Sequence, residues 1–471
     1  MLNKDRVMTA VIVIIGAAIL IGLLFVPPFI GIADNGDYPR IMSSGGISVL
    51  NDTFTYEDKY FGYAHSQYEY APFGIGYASS QVLFVFIAGL LGRLWDSNLF
   101  TMHAMGVVYS VLMLLTLGFM IYVLGKGRLW LQMTLGVLML FIFFDIGYVA
   151  YFQSLFGEPV SLIFLLLSAS LAIALATQEK PSSLLAVLLF VCAWILAMSK
   201  IQNAPVGLAF AAYGFRLYRR RSDVQWKRIL VAGSSIMVLS TVLMYVFAPG
   251  ELKQINLYQT IFFGILKDSP HVKEDLQSLG IPEKYEVLAG TNYFQTDVAI
   301  KQDAPELTED VYSKLGHFDV VRYYATHPAR IIDKLEAAAA NATFIRPYYL
   351  GNYVKEEGKS RGEVTYTYST WSEGKKRLVP ESLLFFVAFY VLYIGVIVWE
   401  WIRKRYSRGV LEVLLLVAGI GILAVAIPLV GDGEADIGKH LFLFNVVFDM
   451  MVAVSVVWVV ASIRNVWHRI R

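Results

Sequence analysis

Ten long apolar stretches run along the chain, with polar segments between them. An α-helix needs about 20 mostly apolar residues to cross a hydrocarbon core of ~30 Å, and these stretches are near that length. The pattern therefore predicts ten membrane-spanning helices, near residues 7–30, 103–124, 129–147, 159–177, 183–199, 203–218, 229–248, 382–402, 409–429 and 441–463.

An eleventh apolar stretch, 77–95, is predicted to lie in the membrane interface instead. On the positive-inside rule, 18 of the 39 Lys and Arg residues fall in cytoplasmic segments, 16 in one long external loop and 5 in all other external segments. Both chain termini are then cytoplasmic, and both ends of 77–95 are external. A stretch with both ends on one side does not cross, so we expect an amphipathic juxtamembrane helix.

The spans divide the chain into three parts. Residues 1–248 form an N-terminal membrane module of seven spans, with an external loop at 32–102 that contains the interfacial helix. Residues 249–381 form an external loop domain, and residues 382–471 form a C-terminal module of three spans. Helical periodicity over 306–340, interrupted by Pro328, predicts two helices in the loop domain. The 363–373 tract is predicted as a short strand or a loop lid.

The composition excludes several classes of protein. Hydrophobic residues make up 57% and charged residues 16%, with a mean hydropathy of +0.57, whereas soluble proteins have about 45–50% apolar and about 25% charged residues. A soluble enzyme, a disordered chain and a disulfide-rich module are therefore ruled out, the last also because Cys192 is the single cysteine. We predict an all-α polytopic membrane protein with about ten transmembrane helices and a mainly helical external domain.

Acidic residues concentrate on the external side and mark it as the working face. The cytoplasmic loops are short and basic, and they contain neither a Walker A sequence nor a glycine-rich strand-to-helix turn, so no nucleotide or nucleic-acid site is predicted. The external acids are Asp34, Asp37, Asp52, Glu57, Asp58, Glu69, Glu158, Asp432, Glu434 and Asp436.

The first motif is the octapeptide 33–40, directly after the first span. A carboxylate just outside the bilayer, such as Asp37 or Asp34, can take a proton from a hydroxyl that attacks a carbon bearing a phosphate leaving group. Arg40 is near enough in sequence to meet phosphate oxygens. The alternative is an Asn-Gly turn with solvated aspartates.

Two further motifs interrupt the spans on the external side. Glu158 stands before Pro159 at the start of the fourth span, either as an acid that complements the helix dipole or as a second carboxylate facing the first. Lys200 is either a snorkelling anchor or a cation for a lipid phosphate. Gln202 and Asn203, in the same polar break, are candidate substrate-binding residues.

The last external turn, 431–440, combines acids and bases. Asp432 and Asp436 are candidate substrate-binding residues, and Lys439 and His440 at a helix start could hold an anionic group. The ligand pattern of a calcium loop is not met. Asp449, further along the last span, must face the bundle interior or a wet cavity.

A fifth motif lies in the large loop, at 346–353. Arg346, Tyr348 and Asn352 combine guanidinium, aromatic and amide groups that suit a sugar face, so they are candidate substrate-binding residues. Aromatic residues of this kind are also common in membrane-interface belts, which is the alternative interpretation.

Taken together, these motifs resemble the GT-C superfamily of integral-membrane glycosyltransferases. That superfamily has an acid in the first external loop, interfacial helices before the second span and a second acid in the next external turn. More narrowly, five segments resemble bacterial WsfD-type hexose transferases of glycan biosynthesis. They are Asn35-Gly36-Asp37, 153–158, 199–205, 350–353 and 431–445.

The resemblance implies an inverting hexose transfer from a polyprenyl-phosphate donor, within a cell membrane, to an external glycan or lipid-linked acceptor. By this analogy Asp37 is the base, with Asp34 as the alternative, and Glu158 is the second acid. Because departure of the phosphate needs positive charge nearby, the candidates for binding it are Arg40, Lys200, Lys439 and His440. No clean Asp-x-Asp pair is present, so no cofactor is assigned and a divalent metal is left open.

Two other functions remain open from the sequence. A surface-polysaccharide polymerase or ligase also has many spans and one large external loop, and it would depend on external arginines such as Arg346. A secondary transporter would bind its substrate at mid-membrane between repeated halves, and the chain shows no internal repeat.

Overall fold

The computed structural model describes residues 4–50, 54–74 and 76–470, with side chains described as far as residue 465. Asp52 of the first loop lies outside these residues. The first helix, α1 (Lys4–Leu24), ends earlier than the predicted span at 7–30. The Gln153 amide donates to the Leu24 carbonyl oxygen at 2.7 Å, which satisfies one of the acceptors left open where the helix ends.

The loop after α1 contains a small sheet that the sequence did not predict. Its strands β1, β2 and β3 pair antiparallel in that order, with Tyr68 opposite Phe100. The elements of this loop, in chain order, are α2 (Tyr38–Gly45), β1 (Ile47–Val49), α3 (Tyr56–Lys59), β2 (Gln67–Tyr70), α4 (Gln81–Gly92) and β3 (Leu99–Thr101).

Helix α4 occupies the stretch predicted as interfacial, and it does not cross the bundle. Its 12 residues span about 18 Å, which is well short of a ~30 Å hydrocarbon core. Before its first turn, Ser80 donates its N–H to the Met198 carbonyl oxygen at 2.8 Å. After its last turn, the Arg93 guanidinium lies 4.4 Å from the centre of the Tyr70 ring. We call the end of the bundle that carries these contacts and both large loops the loop side.

Seven helices follow, up to the end of the N-terminal membrane module. They are α5 (Met102–Leu124), α6 (Leu129–Leu138), α7 (Ile146–Val149), α8 (Glu158–Thr177), α9 (Ser183–Ala197), α10 (Val206–Tyr218) and α11 (Val224–Val246). The predicted span at 129–147 is broken: Leu129–Phe143 and Ile146–Gln153 meet at an angle of 61°. Asp145 caps the start of the second segment, Ile146–Gln153, because its side chain accepts the Gly147 N–H at 2.8 Å.

The large loop folds around a hydrophobic cluster of its own, which includes Tyr258, Phe262, Tyr285 and Tyr323. The predicted helix break at Pro328 is present. The 363–373 tract forms no strand: residues 363–369 are turns and irregular backbone, and residues 370–373 begin a helix. The helices are α12 (Gly250–Thr260), α13 (Val272–Leu279), α14 (Pro305–Leu307), α15 (His317–Thr326), α16 (Pro328–Asn341) and α17 (Thr370–Leu378).

Four helices complete the chain: α18 (Leu383–Arg403), α19 (Arg408–Asp432), the short α20 (Ile437–His440) and α21 (Phe442–Ile470). Across the described residues, seven helices are long and apolar enough to cross a membrane, and the bent pair is an eighth candidate. Two more of the predicted spans are helices of 15 and 13 residues, α9 and α10. The prediction of an all-α polytopic membrane protein is confirmed.

A buried ion pair joins the large loop to the last span. Lys375 on α17 lies 2.7 Å from Asp449 on α21, and both side chains are 0% exposed. Trp371 and Tyr148 donate to the other Asp449 oxygen at 2.7 and 2.6 Å. Asp449 therefore faces the bundle interior, and its charge is compensated by the loop rather than by water.

We predict that Asp449→Asn destabilises the protein by about 3–5 kcal/mol, because it leaves the Lys375 ammonium buried without a carboxylate. The measurement is the thermal unfolding midpoint in detergent. Asp58→Asn, which breaks the exposed pair with Lys355, is the matched control and should change the midpoint little. Equal midpoints for Asp449→Asn and wild type would contradict this role for the pair.

Candidate active site at the loop side

Asp34 shapes the turn that leads out of the first span. Its Oδ1 accepts the N–H groups of Gly36 and Tyr38 at 2.7 and 3.1 Å. Gly36 has φ +100°, a conformation that favours glycine. The Asp34 side chain is 4% exposed, so it organises the turn from inside the protein rather than facing a substrate. Burial raises its pKa to about 6, although the two backbone N–H groups oppose the rise.

Asp37 stands at the exposed end of this turn, immediately before α2. Its Oδ1 accepts from Arg40 at 2.7 Å, and its Oδ2 accepts from Lys439 at 2.5 Å. The side chain remains 36% exposed. Burial opposes ionisation, but the Lys439 and Arg40 charges outweigh it and lower the pKa of Asp37 below its usual range. Asp37 is therefore an ionised carboxylate that a bound molecule can reach.

Lys439 belongs to the short helix α20 and is almost completely buried. Its side chain is 1% exposed, and its Nζ lies 4.1 Å from the centre of the Phe156 ring. The turn before it needs Asp436 at φ +45°, an unusual value for a residue other than glycine. Burial disfavours the charged ammonium, but Asp37, Asp436 and Glu158 outweigh it and raise the pKa of Lys439.

His440 lies between two acceptors. Its Nε2 is 2.9 Å from Asp432 Oδ2, and its Nδ1 is 2.5 Å from Gln202 Oε1. The Gln202 amide donates to the His440 carbonyl oxygen at 3.1 Å, which fixes the amide orientation. Both ring nitrogens of His440 are therefore bonded within the protein, one to Asp432 and one to Gln202.

Glu158 and Lys200 form the second buried pair of the site. Glu158 begins α8 and is 1% exposed, and its Oε1 accepts from Lys200 Nζ. A Cβ atom at Gly157 would lie 3.0 Å from the Ser199 carbonyl oxygen and 3.3 Å from Lys200 Cγ, so a glycine there gives the lysine room. Lys200 is also close enough to Asp37 to help lower the pKa of that carboxyl.

Two residues of the site were not predicted as such from the sequence. Tyr349 Oη donates to Asp436 Oδ1 at 2.5 Å, and Asn35 Nδ2 donates to Asp436 Oδ2 at 3.1 Å. Of the two neighbouring tyrosines, Tyr348 was predicted to bind substrate, whereas Tyr349 is the one that contacts the site. Consecutive residues of an irregular loop have no periodicity that tells which one faces a site.

Four predicted substrate-binding residues make their side-chain contacts with protein groups outside this site. Asn203 bonds to Ser161 and Ser199 at 2.9 Å, and Asn352 bonds to the Gly31 carbonyl oxygen at 2.7 Å. Arg346 and Tyr348 both contact Glu373 within the loop domain. Arg346 is 2% exposed and lies 3.3 Å from the Glu373 carboxylate, and the Tyr348 hydroxyl donates to that carboxylate at 2.8 Å.

The structure thus brings eight charged side chains together at the loop side, which we call the charged cluster. Its acids and cations alternate in space, so each carboxylate lies against a Lys, Arg or His nitrogen. Throughout the described residues, no group of three or more His, Cys, Asp or Glu side chains could hold a metal ion. The members are Asp37, Glu158, Asp432, Asp436, Arg40, Lys200, Lys439 and His440.

The cluster thus combines a reachable carboxylate, Asp37, with Arg, Lys and His side chains of the kind that bind anionic groups. Comparison with known proteins gives one family: a model described as "YfdI N-terminal transmembrane domain" matches residues 2–471. No curated protein and no solved structure matches the chain.

We predict that Asp34→Asn changes how stability depends on pH. The folded-state pKa of Asp34, about 6, lies above its ordinary value of 3.8, so ionisation costs the folded state stability as the pH rises through 6. An asparagine keeps the acceptor for the two N–H groups but does not ionise. From about pH 3 to about pH 8, wild type should lose about 3 kcal/mol relative to Asp34→Asn. The measurement is the unfolding midpoint of both proteins across this range, and parallel curves would contradict the assignment.

Proposed function

The chain belongs to the YfdI N-terminal transmembrane domain family, and on that premise we propose that it is an integral-membrane glycosyltransferase. It moves a hexose from a polyprenyl-phosphate-linked donor to an extracytoplasmic glycan or lipid-linked acceptor, with inversion. The observation that carries the proposal is the contact at 2.5 Å between a reachable carboxylate, Asp37, and a buried ammonium, Lys439, at the loop side.

The depth of the cluster supports a donor carried by a lipid. Helix α8 has 20 residues and is about 30 Å long, enough to cross a ~30 Å hydrocarbon core, and Glu158 is its first residue. Lys200 bonds to Glu158, so this cation lies level with one end of a full-length span. A cation at that depth suits a phosphate held at the surface of the membrane by its own lipid tail.

The charges support an assignment of roles to each group. Asp37 takes the proton of the acceptor hydroxyl, and the acceptor oxygen forms a bond to the anomeric carbon. The bond from that carbon to the phosphate oxygen breaks on the opposite face, and its electron pair leaves with the phosphate. Arg40, Lys200, Lys439 and His440 stabilise the negative charge that develops on the leaving phosphate.

The orientation of the enzyme follows from its basic segments. Arg216 and the cluster at 219–228, the turn at 126–128 and the segment at 403–408 all lie at the end of the bundle opposite the charged cluster. By the positive-inside rule that end is cytoplasmic, which supports an extracytoplasmic charged cluster in the cell membrane and two cytoplasmic termini.

The polymerase or ligase alternative finds less support. It depends on external arginines, and the Arg346 guanidinium is 1% exposed and donates to the Thr365 carbonyl oxygen at 2.5 Å. A buried, bonded guanidinium is a structural group of the loop domain.

We predict that Asp37→Asn lowers hexose transfer at least about 100-fold, because the acceptor hydroxyl then lacks its base. The assay is transfer of labelled hexose from a polyprenyl-phosphate hexose, in proteoliposomes supplied with a lipid and glycan extract of the producing cells. Asp58→Asn changes another acid of the same loop and should keep wild-type activity. Full activity of folded Asp37→Asn would remove the basis of the proposed function.

We predict that Lys439→Gln lowers kcat and raises the KM for the donor, because a neutral side chain no longer stabilises the phosphate. The KM for the acceptor should stay near the wild-type value. Steady-state kinetics with each substrate varied in turn separate these parameters. A change confined to the acceptor KM would assign Lys439 to the other substrate.

A further inference from the structure

In this structure the acids of the charged cluster are paired with its basic side chains. Arg40 and Lys439 both bind Asp37, Lys200 binds Glu158, and His440 faces Asp432. Within the described residues, each cation that could hold a phosphate therefore already has a carboxylate partner. An incoming phosphate meets cations that are already occupied.

Asp37 is affected most by this arrangement. Both of its oxygens accept charge-assisted bonds, at 2.7 Å from Arg40 and 2.5 Å from Lys439. Such bonds stabilise the carboxylate and hold its pKa low, so Asp37 in this state is a poor acceptor for a hydroxyl proton. A general base works best when its pKa is near the working pH. For Asp37 to act as the base, these cations must first be taken away from it.

We propose that the acids of the charged cluster are internal counter-ions, and that the phosphate of a lipid donor displaces them from the cations and so releases Asp37 as the base. The release of a base for transfer rests on the proposed function, whereas the displacement is a statement about phosphate binding alone. Binding is then ordered, with the donor before the acceptor, because the base is formed only when the phosphate is in place.

The exposure of the groups allows this exchange. Arg40 and Asp37 are 39% and 36% exposed, and Lys200 is 20% exposed, so they can move and a phosphate can reach them. Lys439, 1% exposed and packed on Phe156, stays in place and exchanges one anionic partner for another. Because a phosphate oxygen replaces a carboxylate oxygen, the buried ammonium is compensated before and after the exchange, and no unpaired buried charge is left.

A counter-ion that competes with a ligand differs from a ligand-binding residue in the effect of its removal. Removing a residue that contacts a ligand weakens binding. Removing a counter-ion that competes with the ligand strengthens binding, because the ligand no longer has to displace it. Asp37→Asn should therefore bind a lipid phosphate more tightly than wild type does, while it fails to transfer the hexose.

The experiment measures the affinity of the purified full-length protein in nanodiscs for a polyprenyl phosphate that carries no sugar. We expect Asp37→Asn to bind it about 10-fold more tightly than wild type, which corresponds to about 1.4 kcal/mol. Asp297→Asn removes the same charge from an exposed position of the loop domain and is the matched control, with wild-type affinity expected. Polyprenol without phosphate should bind all three proteins equally.

An affinity of Asp37→Asn equal to or weaker than that of wild type would overturn the proposal. An equal gain for Asp297→Asn, or a gain for polyprenol, would also overturn it, since the effect would then come from overall charge or from the tail. Asp436→Asn, which removes an acid 4.0 Å from Lys439, should also bind the lipid phosphate more tightly and serves as a second variant if Asp37→Asn does not fold. The experiment measures binding and not transfer. It therefore tests the displacement of the counter-ions even if the proposed transfer activity is wrong.

Discussion

The cluster depends on one constraint: the Lys439 ammonium lies in a place that water does not reach, so other groups must compensate its charge. A buried cation without a partner costs several kcal/mol, and the structure meets that cost with carboxylates from two distant parts of the chain. Asp37 comes from the loop after α1 and Asp436 from the turn after α19. The pair between Asp37 and Lys439 therefore holds two distant parts of the chain together at the loop side.

The large loop takes part in the same arrangement. Glu434, in the turn beside Lys439, binds Lys267 and Lys334 of the loop domain at 2.7 Å. Tyr349 reaches Asp436 from the same domain. The domain is itself attached to the last span by Lys375. The position of the charged turn is therefore set by the membrane helices from one side and by the loop domain from the other.

The sequence predicted the spans well because membrane crossing requires continuous apolar segments, which are visible without any partner. All eight members of the charged cluster were among the site residues predicted from the sequence, since charged residues beside apolar helices are few. It could not show that Lys439 and Asp37 meet, because 402 positions separate them and only the folded bundle brings them together. Asn203 and Asn352 looked like substrate-binding residues, but amides serve equally well to bond a turn to its neighbours, as both do here. The break of the span at Asp145 was missed because the apolar pattern continues through it.

The most direct test is an experimental structure of the full-length protein with a polyprenyl phosphate bound. We expect phosphate density in contact with Lys439 and Lys200 at the loop side, with the lipid tail leaving toward the membrane and the Asp37 carboxylate turned away from Lys439. Phosphate density elsewhere on the protein, with the pair between Asp37 and Lys439 intact, would contradict this expectation.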